Sequence, residues 1–148
     1  MAEVERSRAV HAALDEVWAL LADFGAIAQW VENVDHSCLL TEQTEGLGVV
    51  RRIQTGRTVV LERVTAWERE STLEYSIEGL PPVVQSLRNR WSLAADGATT
   101  RVAITSTVDV GPRPPQQVVA RLIGRRFAGV SEQMLSGLAA HLAKGARA

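Results

Sequence analysis

Val119, Ile123, Phe127, Val130, Met134 and Leu138 recur at intervals of four, four, three, four and four residues. That spacing places all six on one face of an α-helix, and the pattern predicts one helical region of roughly 30 residues at the end of the chain. The stretch from Val34 to Val110 follows a different rule, with strand-like alternation broken by turns. A run of antiparallel strands followed by one long amphipathic helix has few ways to bury both. The sheet must curve and the helix must cover its concave face, because no other element carries enough apolar length. The expected class is α+β: a curved antiparallel sheet of about seven strands wrapped around a long C-terminal helix.

The remaining elements fit that frame. Val4 to His11 reads as a first strand. Leu14 to Phe24, LDEVWALLADF, reads as a helix with Asp15 as N-cap, an apolar stripe of Val17, Leu20, Leu21 and Phe24, and Gly25 as its stop. Ala26 to Val31 reads as a second short helix, and Val34 to Thr41 as the next strand. LEYSIE, from Leu73 to Glu78, alternates cleanly, and Gly79-Leu80-Pro81-Pro82 is a loop. Gln85 to Ala94 and Arg101 to Val110 form another strand pair, and the proline-bearing GPRPP links it to the last helix.

The hairpin VRRIQTGRTVVLERV, Val50 to Val64, carries the most chemical information. With Gly56 and Arg57 as the two loop residues, Thr55 faces Thr58, Ile53 faces Val60, Arg51 faces Glu62 and Val49 faces Val64. Those eight share one face, apolar apart from the turn threonines and one Arg/Glu couple. The opposite face, with Val50, Val59 and Leu61, is also partly apolar, so pattern alone does not say which face is inner. An outer couple would be a surface cross-strand pair. An inner one would be a buried ion pair with functional meaning.

Bulk properties narrow the partners. The 148 residues suggest one domain, with 46% hydrophobic and 22% charged residues. A formal net charge of -1 gives no argument for nucleic acid. No run of about 18 apolar residues exists, so no stable membrane insertion is expected. The N-terminus has acids and no apolar signal core, so no export signal is expected. A single cysteine, Cys38, fits a reducing cytosol and reads as a small buried filler. His11 and His141 show no metal-ligand spacing, no nucleotide or nucleophile motif is present, and neither metal nor cofactor is expected.

The element order, together with LDEVWALLADFGAIAQWV, LGVVRRI, LERVTAW, LEYSIEGLP and ATTRVAITSTVDV, resembles the helix-grip fold of the START/birch-pollen-allergen superfamily. The opening helices resemble the type 2 polyketide cyclase branch, where a VW-x-L-(L)-x-D-F helix precedes a short helix ending in Trp. The resemblance covers Val4 to Leu142. It implies two short helices between the first two strands and a cavity between sheet and long helix that holds an apolar or amphipathic small molecule. Its motifs specify fold with some force and chemistry hardly at all.

The resemblance also implies a site. Plant abscisic-acid receptors of the superfamily have a similar Arg/Glu hairpin whose Glu lines the pocket, which places Arg51 and Glu62, with Ile53 and Val60, on the cavity side. The same match puts His36 where those receptors carry a pocket lysine. LPPVVQS and GRT depart from their gate and latch loops, so a hormone-receptor role is not expected. Tyr75 and Ile77 fall on the inner face of LEYSIE. Asn89, Trp91 and Leu93 fall inward on the next strand, and Val102, Ile104 and Ser106 on the last. Phe127, Val130 and Met134 face the cavity from the helix. Trp18 and Trp30 are expected to pack the short helices, and Trp67 or Trp91 to line the cavity.

The leading expectation is therefore a cytosolic protein, monomer or homodimer, that binds a hydrophobic small molecule. An acidic or phenolic oxygen of the ligand would sit near Arg51 and Tyr75. The alternative is a polyketide cyclase/aromatase or dehydratase using the same cavity, with His36, Tyr75 and Glu62 as acid–base candidates. A module acting on other macromolecules has only the basic cluster Arg121, Arg125 and Arg126 in its favour, and that cluster reads first as a solvated face. Gly124, Gly129 and Gly137 in the last helix would let it approach the sheet, bend, or leave room for a ligand.

Overall fold

The computed structural model of the chain describes residues 2–82, 84–111 and 114–147, with the side chains at 114–120, 124, 127 and 145–147 outside that description. Seven strands form one antiparallel sheet in the order β1-β7-β6-β5-β4-β3-β2. They are β1 (Ala2–Val10), β2 (His36–Leu39), β3 (Val50–Thr55), β4 (Thr58–Glu68), β5 (Thr72–Glu78), β6 (Ser86–Asp96) and β7 (Thr99–Asp109). Strands β2 to β7 are a meander, and β1 closes onto β7 at the far edge. Helix α1 (Leu14–Ala22) and a 3-10 helix (Phe24–Gln29) connect β1 to β2, and α2 (Pro114–Arg147) ends the chain. This is the helix-grip arrangement that the order of elements implied.

The β3–β4 hairpin has the expected register, with Thr55 opposite Thr58, Ile53 opposite Val60 and Arg51 opposite Glu62. Gly56, at φ 60°, supplies the left-handed residue that starts the two-residue loop. The register of β4 on β5 shifts between Val64 and Ala66. That one-residue bulge reverses the alternation, so Trp67 faces the same side as its partner Leu73 and meets Trp18 of α1 edge-on at 5.3 Å.

The α2 stripe packs as its spacing requires: Met134 and Leu138 are buried, and Val130 packs partly buried against the same core. Val119 and Phe127 fall outside the described side chains. Pro114 opens the helix, where a missing N–H costs nothing because the first turn leaves its donors unpaired. Of the helix glycines, Gly137 has a clear reason. A Cβ there would collide with the carbonyl oxygen of Trp30, so only glycine lets α2 seat against the end of the 3-10 helix. Gly129 meets nothing.

Three local expectations are corrected. The cap of α1 is Ala13, and Asp15 lies inside the first turn, where its charge favours the helix N-terminus. The helix stops at Ala22, and Gly25 sits within the 3-10 helix, where a Cβ would press on the side chain of Leu39. Cys38 is exposed rather than a buried filler, since it pairs with Arg52 on the outer face of the sheet.

Candidate functional site: a polar row on the inner face

Arg51 and Glu62 lie inside. Their relative exposures are 3% and 5%, and each belongs to the face that carries Ile53, Val64 and Leu73 into the core. Nε of Arg51 donates to Oε1 of Glu62 at 2.7 Å, and Nη2 makes an ion-pair contact with the same oxygen at 2.7 Å. Nη1 donates to the carbonyl oxygen of Phe24 at 3.0 Å. The guanidinium carbon sits 3.7 Å from the centroid of the Phe24 ring and 4.7 Å from that of Tyr75. A buried charge is tolerable only when paired and hydrogen-bonded, and here two aromatic faces add to one carboxylate. Two of the five guanidinium N–H groups donate in hydrogen bonds to described partners and Nη2 meets Glu62 as an ion pair, which leaves N–H groups of Arg51 uncommitted among the described residues.

The row continues across β5, β6 and β7. Tyr75 is opposite Asn89, and Asn89 is opposite Ser106. Ser106 Oγ donates to Asn89 Oδ1 at 2.7 Å. That short separation suits O–H···O and turns the amide nitrogen of Asn89 toward Tyr75, whose hydroxyl it reaches at 3.4 Å. Trp91 Nε1 donates to the same hydroxyl at 3.2 Å. The phenol oxygen thus accepts twice, and no described residue accepts its own proton.

Electrostatics follow from burial. Burial pushes the Glu62 carboxyl above the ordinary range, and the charge and hydrogen bonds of Arg51 pull it back. Tyr75 is pushed up first by burial and then by the Glu62 charge. Arg51 and the hydrogen bonds from Trp91 and Asn89 oppose this. Tyr75 is therefore a protonated donor at neutral pH.

The expected site residues divide accordingly. Arg51, Glu62, Tyr75, Asn89, Trp91 and Ser106 form one connected cluster. Ile53 and Ile104 are buried in the apolar core, and Val60, Ile77 and Val130 pack partly buried against it, as does Leu93. Met134 is buried against the core from α2, and the side chain of Phe127 is outside the described side chains. His36 does not join them. It is exposed, and it pairs with Gln54, one residue out of phase with Ile53, so it points to the outer face. The inward residues of β2 are Ser37 and Leu39, which oppose Ile53 and Arg51. Ser37 donates to the carbonyl of Gly25 at 2.8 Å and accepts from the N–H of Ala28 at 3.0 Å, holding the 3-10 helix on the sheet. Phe24 was also missed as a site residue, although a helix stop just before Gly25 leaves a carbonyl in need of a donor.

Two surface clefts, of about 560 and 360 Å³, lie between the 28–33 segment and α2, on either side of the Gly137 contact. Neither includes a member of the Arg51 cluster. Arg121, Arg125 and Arg126 are exposed. No described helix is long and apolar enough to cross a membrane.

Comparison with known proteins agrees with this fold. Residues 1–143 match the family model described as "Polyketide cyclase / dehydrase and lipid transport". No curated protein sequence matches the chain. Among solved structures, the Zhui aromatase/cyclase from Streptomyces sp. R1128 is similar at a TM-score of 0.81 and 19% identity, over 99% of this chain and 96% of that one. A START superfamily protein from Mycobacterium smegmatis is similar at 0.72 and 17%, over 95% and 98%. The di-domain ARO/CYC BexL from the BE-7585A biosynthetic pathway is similar at 0.78 and 20%, over 96% of this chain and 46% of that one. At such identities the structures share a fold. With the family model spanning nearly the whole sequence, the chain belongs to the polyketide cyclase/dehydrase and lipid transport family.

Proposed function

We propose that the protein binds an apolar small molecule between the sheet and α2, and that an oxygen of this ligand is held by Arg51 and Tyr75. The observation that carries this reading is the pair of uncommitted donors on the inner face. The Tyr75 hydroxyl accepts from Trp91 and Asn89 yet has its proton to give, beside a guanidinium with N–H groups to spare. Hydrogen-bond donors left over in an apolar, buried setting favour a ligand that brings acceptors. A carbonyl, phenolate or carboxylate fits, and the Glu62 carboxylate keeps Arg51 neutralised when the ligand is uncharged. A cavity for the ligand requires the cluster to open or the first half of α2 to leave room for it.

Native mass spectrometry of the freshly purified protein, followed by denaturing extraction, tests this reading. A discrete added mass recovered as one organic compound is the expected result, and its occupancy should fall in Tyr75→Phe. An apo mass, with no thermal stabilisation by oxygenated aromatic compounds, would defeat it.

The second reading is catalysis in the same place, favoured by the same unspent phenol proton. Glu62 would take a proton from a methylene between two ketones, and the resulting enolate carbon would bond to the carbon of a second ketone held next to it in the folded poly-β-ketone. As that C=O π bond breaks, Tyr75 would give its proton to the oxygen, leaving a ring alcohol, and the proton on Glu62 would restore the phenol. His36 has no part in it, because it faces away from the cluster. Turnover of a poly-β-ketone mimic, abolished by Tyr75→Phe, would decide for catalysis over simple binding.

A further inference from the structure

One buried donor takes no part in the cluster described above. Trp30, at the end of the 3-10 helix, is 6% exposed, and its Nε1–H has no hydrogen-bond partner. Among the described residues it is the sole buried side-chain polar atom in that condition. Leaving an N–H unpaired in the interior is costly, and a fold that keeps one has a use for it or a partner not in the chain. Phenylalanine would pack a similar face without the unpaired donor.

The backbone of Trp30 is held on two sides and its ring has an aromatic neighbour. The backbone N–H of Trp30 donates to the Ile27 carbonyl at 3.2 Å, and its own carbonyl is where α2 crosses at Gly137. The indole meets Trp91 edge-on, with centroids 5.9 Å apart. Trp91 is the residue whose Nε1 donates to Tyr75. The unpaired donor is thus one indole away from the phenol, in the same core cluster. The cleft that touches Trp30 from outside does not satisfy it, because the Nε1 atom is itself cut off from solvent.

We propose that Trp30 is a second anchoring donor of the inner site, and that the ligand is an apolar ring system with acceptor oxygens at two edges. One oxygen is received by Arg51 and Tyr75 and the other by the Trp30 Nε1–H, with the Trp91 indole between them as a wall. This rests on the reading that the inner face holds a small molecule. It adds a selectivity: a ligand with a polar group at one end only would leave the indole N–H stranded and bind less well.

The test uses the full chain and two bicyclic probes of the same shape. 6-Hydroxy-1-tetralone carries oxygens at two edges, and 5,6,7,8-tetrahydro-2-naphthol carries one. The four tryptophans give four indole N–H resonances in a nitrogen-labelled sample, and Trp30→Phe identifies which is Trp30. The two-oxygen probe is expected to move the Trp30 indole proton downfield. It should also bind about tenfold more weakly when the Trp30 indole is replaced by benzothiophene, which keeps both rings and drops the N–H. The one-oxygen probe should bind both proteins alike. Suppose instead that the two-oxygen probe binds and is weakened by Tyr75→Phe, yet leaves the Trp30 proton and the benzothiophene protein's affinity unchanged. Then this inference is overturned while the binding reading stands. Failure of the wild-type protein to bind either probe at millimolar concentration would overturn both.

Discussion

Glu62 and Arg63 are neighbours in the chain, and each is half of an Arg–Glu pair made across β4. Glu62 meets Arg51 at 2.7 Å with both side chains almost wholly buried. Arg63 meets Glu78 at 3.5 Å with each side chain half exposed. The chemistry is the same and the surroundings are opposite, because successive strand residues face opposite sides of the sheet. The outer pair trades water for little and is screened by salt. The inner pair gives up its hydration entirely, so neither member can be lost without stranding the other. One step along the chain separates a solvated ornament from the anchor of a candidate binding site.

The contrast can be broken most decisively at the inner pair. Arg51→Ala or Glu62→Ala alone should cost about 3–5 kcal/mol of folding stability by urea denaturation. Losses below about 1 kcal/mol would put the pair in the same class as Arg63–Glu78. Replacing both at once, Arg51→Met with Glu62→Leu, should be neutral or stabilise by about 1–4 kcal/mol, since no charge is left buried. The same double variant should lose the co-purifying ligand, which would separate the pair's binding role from its structural one.

Tyr75→Phe should have an intermediate effect. It leaves the Trp91 and Asn89 donors without their acceptor, at a cost of about 1–3 kcal/mol. It also changes the alkaline limb of the stability curve. Burial raises the Tyr75 value above the ordinary one, so between the two values the folded chain keeps a proton that the unfolded chain has released. The contribution is therefore complete below about pH 10 and is lost as pH rises beyond it. A denaturation series from neutral to strongly alkaline pH should show a shallower decline in Tyr75→Phe; an identical slope would contradict the buried, proton-retaining phenol. The smallest effect belongs to the outer pair: Arg63→Ala and Glu78→Ala should each cost about 0–1 kcal/mol and approach zero in high salt.

Legibility differed along the chain for physical reasons. The β3–β4 hairpin could be read in register because Gly56 starts a two-residue loop and fixes every pairing behind it. LEYSIE and the strands after it alternate over enough residues for their inner members, Tyr75, Asn89, Trp91 and Ser106, to be named. Strand β2 could not be read that way. Its four residues, His36 to Leu39, alternate too briefly to set a phase, and the outward turn of His36 comes from pairing with β3. The Thr65 bulge that redirects Trp67 has no signature in the local pattern.

The sequence by itself determined the class of fold, the phase of the long strands, and which side chains share a face, because strand and helix periods are local properties of the backbone. It left open which hairpin face is inner, since Val50, Val59 and Leu61 make the other face apolar as well. That choice was decided by tertiary structure: the 3-10 helix lies across the Arg51 face, with the carbonyl and ring of Phe24 on the guanidinium. The unpaired indole of Trp30 and the need for glycine at 137 are of the same kind. Each arises where elements distant in the chain come within contact of one another, and hydrogen-bond partnership and close approach exist only once they have met.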